Sequence, residues 1–142
     1  MREEEYNYLR DYGLTKEEIR ACSEENPELY EYSKELFQKN INFLEEYSLT
    51  KEQIITLIKK NPYILTTGSK KKELLNKIYS KYYTKDEIKD LLINYAYLYI
   101  VNPLELENVI EYLEDKGLNF KEEVSKNVDI LSMNLDEIKE IL

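Results

Sequence analysis

The sequence predicts an all-α fold built from tandem helical units, on three observations. A five-residue string recurs as Thr15-Lys16-Glu17-Glu18-Ile19, Thr50-Lys51-Glu52-Gln53-Ile54 and Thr84-Lys85-Asp86-Glu87-Ile88, at steps of 35 and 34 residues. A fixed period of that size marks a helical repeat array. A second string follows each copy at the same offset: Asn26-Pro27-Glu28-Leu29-Tyr30, Asn61-Pro62-Tyr63-Ile64-Leu65 and Tyr95-Ala96-Tyr97-Leu98-Tyr99. Glycine and proline number only three each in 142 residues, too few for the closely spaced turns of an all-β chain.

The first string is a helix start. Thr15, Thr50 and Thr84 suit the N-cap, where a hydroxyl accepts from an orphan backbone N–H. Glu18, Gln53 and Glu87 stand three residues on and complete a capping box. Leu14 with Ile19, Leu49 with Ile54 and Tyr83 with Ile88 form hydrophobic staples across each cap.

The second string is a break. Pro27 and Pro62 end one helix and open a short helical turn. The third copy lacks Asn-Pro there, so a softer break is expected; its Asn102-Pro103 opens the following helix instead. A longer second helix completes each unit, closing on Phe43-Leu44, Ile78-Tyr79 and Ile110 with Tyr112-Leu113. Leu113 to Gly117-Leu118 repeats the pattern of Leu9 to Gly13-Leu14 and starts a shorter fourth copy. In it Asn119 and Glu122 replace the Thr/Glu cap, Asn127-Val128-Asp129-Ile130-Leu131 takes the Asn-Pro position about one turn early, and Asn134 with Glu137 caps a last helix. Gly13 and Gly117 fall where a helix ends in a left-handed residue. Ser48 and Tyr82 hold the equivalent places, and a tyrosine there predicts a different helix end. No linker divides the chain. The expectation is one domain over 1–142, with units at about 5–40, 41–78, 79–112 and 113–142. Ile19, Leu36, Leu44, Ile54, Leu65, Leu74, Ile88, Leu92, Leu113 and Ile130 form the expected core.

Composition narrows the function. Apolar residues make up 42%, enough for a packed core. The longest mostly apolar run, Leu91 to Val101, is too short to span a bilayer. The net charge of −9 opposes an anionic membrane surface. Met1-Arg2-Glu3-Glu4-Glu5 contains no apolar leader, and a lone cysteine, Cys22, suits a reducing compartment and a small buried role. A cytoplasmic protein, bacterial or phage-encoded, is expected. Without histidine, no histidine-based nucleophile arrangement or Cys/His zinc site is available. No enzyme activity, cofactor or metal is expected. The 14 tyrosines match the lysine, isoleucine and asparagine richness of an A/T-rich coding sequence.

The unit resembles that of the mitochondrial transcription termination factor (mTERF) family. The second copy matches best, through Leu44, Leu49-Thr50, Gln53-Ile54, Leu57-Ile58 and Pro62-Tyr63-Ile64-Leu65. The first follows through Leu9, Gly13-Leu14-Thr15, Glu18-Ile19 and Pro27. The resemblance implies a curved array of paired helices with a concave face, where many relatives bind nucleic acid through Lys and Arg. It covers nearly the whole chain, although strong acidity departs from that pattern.

Two candidate surfaces stand out. Residues 41–80 carry 7 Lys/Arg against 4 Asp/Glu, a basic island in an acidic chain. Its centre, Ser69-Lys70-Lys71-Lys72 after Gly68, sits at a helix N-terminus, where the macrodipole disfavours cations. Together with Lys59, Lys60 and Lys77 this is a candidate site for an anion or an acidic partner. Tyr95, Tyr97 and Tyr99 are a candidate aromatic surface for a partner or for base stacking. The first functional expectation is a non-enzymatic interaction module, most readily protein-binding. The second is nucleic-acid binding through the Lys59–Lys77 island. The third is an acidic nucleic-acid mimic of the phage anti-CRISPR or anti-nuclease type. The oligomeric state stays open.

Overall fold

The computed structural model describes residues 1–142. Helix α1 (Glu3–Tyr12) leads into a unit of α2 (Lys16–Glu25), a 3₁₀ turn (Pro27–Tyr30) and α3 (Lys34–Glu45). The next unit is α4 (Lys51–Lys60), a 3₁₀ turn (Pro62–Leu65) and α5 (Ser69–Ser80). Helices α6 (Lys85–Asn94) and α7 (Pro103–Asp115) form the third. The chain closes with α8 (Phe120–Lys126), a 3₁₀ turn (Val128–Ser132) and α9 (Leu135–Ile141). There is no strand.

The local signals act as read. Thr15, Thr50 and Thr84 each accept from the backbone N–H three residues on, and Glu18, Gln53 and Glu87 reach back to the cap N–H. Hydrogen bonding from the Thr15 backbone, then from Lys59, holds the Glu18 carboxyl below its ordinary range. Asn134 and Glu137 make a fourth box, whereas Asn119 caps α8 without the reciprocal bond. Gly13, Ser48 and Gly117 take positive φ of 130°, 62° and 75°. Tyr82 does not, and the Tyr83 N–H closes that end onto the Tyr79 carbonyl at 2.8 Å.

What joins the units is less local. Asn26 and Asn61, each just before a proline, are 0% and 1% exposed. Their side-chain oxygens accept from the N–H two residues on, at Glu28 and Tyr63. Their amide nitrogens cross to the next unit: Asn26 donates to the Pro62 carbonyl at 3.2 Å and Asn61 to the Ala96 carbonyl at 3.0 Å. Asn40 on α3 adds a bond to the Leu65 carbonyl at 2.7 Å. The asparagine before the break therefore binds one unit to the next.

A single cluster of 35 buried apolar residues runs from Leu9 to Ile138. Two members of the expected spine lie outside it: Leu36 is half-buried and Leu74 is 42% exposed. On α5 the inward stripe is Lys72, Leu75, Ile78 and Tyr79, and Leu74 sits about 100° from Leu75 around the helix.

Replacing Asn61 by alanine should strand the Ala96 carbonyl and the Tyr63 N–H. The expected loss in urea unfolding is about 2–3 kcal/mol, against about 1 kcal/mol for Thr50→Ala. Equal losses would refute the asparagine's role between units. Burial also raises the phenols of Tyr79 and Tyr99, and pushes Tyr12 and Tyr83 up to about 12. The unfolded chain ionises them near the ordinary value of about 10, so their contribution is whole below that pH and is lost as pH climbs through the raised values. In alkaline titration the tyrosinate absorbance should rise in two phases, the second coinciding with loss of helical circular dichroism.

Candidate functional site

The lysine island does not converge. Lys59 pairs with Glu18 at 2.9 Å, tying α4 to α2. Lys60 and Lys77 are exposed in the last turns of α4 and α5, where a helix end favours cations. Ser69 begins α5, with Gly68 at the N-cap and no side-chain cap bond. Lys70 is exposed. The Lys71 ammonium donates to the Ile100 carbonyl at 2.6 Å. Lys72 is 7% exposed, with Nζ 5.0 Å from the Phe43 ring centre, and burial lowers its pKa. Successive helical residues point about 100° apart, and each of the three lysines has its own surroundings. The helix end that looked wrongly charged is compensated from inside, by a carbonyl for Lys71 and an aromatic face for Lys72.

The tyrosine run divides in the same way. Tyr99 is 5% exposed and donates to the Asn76 side-chain oxygen at 2.8 Å. Phe43 and Tyr79 meet its ring edge-on at 4.9 and 5.4 Å. Tyr95 is 8% exposed, while Tyr97 is 43% exposed. The expected aromatic surface thus reduces to Tyr97 and the rim of Tyr95.

The turn holding these residues is secured from the second unit. Its carbonyls at Ala96, Leu98 and Ile100 accept from Asn61, Tyr79 and Lys71 respectively. Tyr95 occupies the backbone place of Asn26 and Asn61, with φ −143° and ψ 94° against −146° and 87° for Asn61. It has no amide to send onward.

A cleft of about 510 Å³ opens at this point. Tyr95, Tyr97, Ile100, Val101, Leu131 and Met133 supply its apolar surface, and Glu105, Asp129 and Glu137 its charge. One carboxylate oxygen of Glu137 is engaged in the cap of α9. Burial, then the Asp129 charge, pushes Tyr95 up to about 12. Sequence reasoning misses this cleft. The available signal is the asparagine itself, present at 26, 61 and 127 and replaced at 95.

The outer charge is equally uneven. Helix α7, packed beside α5, carries Glu105, Glu107, Glu111, Glu114 and Asp115 with no lysine or arginine. Cys22 is 2% exposed and burial pushes its thiol up to about 11, a structural thiol and not a reactive one.

Capped helix, turn and second helix, stitched in tandem by side chains, define a helical-repeat protein. The mTERF family model matches residues 1–139, and the chain belongs to that family. No curated protein matches it. No helix is long and apolar enough to cross a membrane.

The two inner lysines can be separated by experiment. Lys72→Met keeps the packed stem and removes the desolvated charge, so the urea midpoint should hold or rise. Lys71→Met strands the Ile100 carbonyl and should cost about 1–2 kcal/mol. The reverse order would refute these roles for the two lysines.

Proposed function

We propose that this chain is a non-enzymatic interaction module whose partner is a protein. The observation that carries the reading is electrostatic. Of the basic island, Lys59, Lys71 and Lys72 are engaged within the fold. Lys60, Lys70 and Lys77 stay exposed, and α5, which carries the last two, packs beside a helix with five carboxylates and no base. A phosphate backbone needs a run of accessible cations to release its counterions, and this surface interrupts that run. A protein surface instead tolerates mixed charge around an apolar centre, which the cleft and exposed Tyr97 supply.

Family membership favours a second reading, nucleic-acid binding through Lys60, Lys70 and Lys77. Fluorescence anisotropy with single- and double-stranded DNA and RNA at low salt decides between them. The protein-binding reading expects no saturable binding. Affinity that falls steeply with salt, and is lost in Lys60→Gln/Lys70→Gln/Lys77→Gln, would establish the second reading in its place.

A further inference from the structure

Resting on the protein-binding reading, we propose that the cleft between α7 and the Val128–Ser132 turn docks a peptide segment of the partner carrying lysine or arginine beside an apolar side chain. The cleft lies where the chain of asparagine bonds ends, at Tyr95. Tyr95 is 8% exposed and lines the cleft, yet its hydroxyl makes no bond within the protein. The neighbouring Tyr79 and Tyr99 hydroxyls are both satisfied. The Tyr95 hydroxyl is not itself buried, and as both donor and acceptor it is free to meet a ligand's polar group.

Charge chooses the occupant. Glu105 and Asp129 line the cleft without an ion-pair partner, Glu137 adds a third carboxylate, and no lysine or arginine lines it. The Tyr95 and Tyr97 rings meet edge to face at 5.6 Å, which leaves an aromatic face for an ammonium or guanidinium. Ile100, Leu131 and Met133 receive the apolar neighbour.

The test is amide NMR on the full chain with three synthetic peptides: one alternating lysine and leucine, one with glutamate for lysine, and one with glycine for leucine. The first should shift Tyr95, Tyr97, Leu131 and Met133, and the other two should leave them unmoved. Glu105→Gln/Asp129→Asn should weaken the first peptide about tenfold while the spectrum elsewhere stays unchanged. No shift in the cleft, or an equal response to the glutamate peptide, overturns the proposal. Peptide-induced shifts at Leu74 with the cleft unmoved leave the module reading standing and remove only this docking site. Salt-sensitive shifts of Lys60, Lys70 and Lys77 with DNA remove both.

Discussion

The side-chain amide of the asparagine before the first two breaks is the interaction on which this array depends. Each unit interrupts its helices in the interior, and an interrupted helix leaves backbone donors and acceptors without partners. Buried, each costs about 1–3 kcal/mol when unpaired. Asparagine has one acceptor and two donors on a short stem. At 26 and 61 the oxygen closes the local turn while the nitrogen satisfies a carbonyl of the following unit. Asn26 also donates to Thr66, whose hydroxyl donates to Glu28, so bonds between two units close into a ring. Such geometry fixes how far the next turn stands and which way its carbonyl faces. Apolar contact alone, being non-directional, would leave both free to slide.

The third break shows what happens without that device at its exit. It still receives Asn61, and its other inward carbonyls are met by Tyr79 and Lys71. A turn that lacks proline is therefore held by three side chains of the preceding unit. Onward, Tyr95 offers no amide, and the fourth unit is held by helix packing of α7 on α8 and α9 and by the exposed Lys121–Glu87 ion pair at 2.6 Å. Packing tolerates a gap that a short hydrogen bond would not, and the cleft lies at this junction.

Local rules made most of the fold legible. Caps, staples, proline breaks and positive-φ helix ends each depend on a few neighbouring residues, and Ser48 and Tyr82 followed the steric rule in opposite ways. Legibility failed where the third dimension decides. Leu74 shares the apolar character of Leu75, but helix rotation puts Lys72 inside and Leu74 outside. Lys71 and Lys72 read as a surface cluster because a carbonyl 29 residues away and an aromatic ring on α3 are invisible in a linear pattern. Asn-Pro read as a helix terminator, which it is, while the amide's reach across 35 or 36 residues carried no local signature.

Two neighbouring helices run against their own dipoles, and the contrast between them is informative. Helix α5 has lysines at its positive end; α7 has Glu114 and Asp115 at its negative end, with Lys116 at the C-cap as the adjacent base. Each misplaced charge costs about 0.3–1 kcal/mol at an exposed helix end. For α5 the fold answers from within, since Lys71 and Lys72 satisfy or cover internal groups. For α7 the return is slight: Tyr82 donates to Glu114, while Glu107 and Glu111 make no bond. Acid elsewhere does serve the fold, as in the first turns of α2, α6 and α9, where carboxylates close capping boxes. The excess is thus concentrated on α7, where Glu105 lines the cleft and Glu107, Glu111 and Glu114 line a separate groove shared with Lys81. A surface that keeps unfavourable charge without internal compensation is where a cationic partner would recover the lost energy.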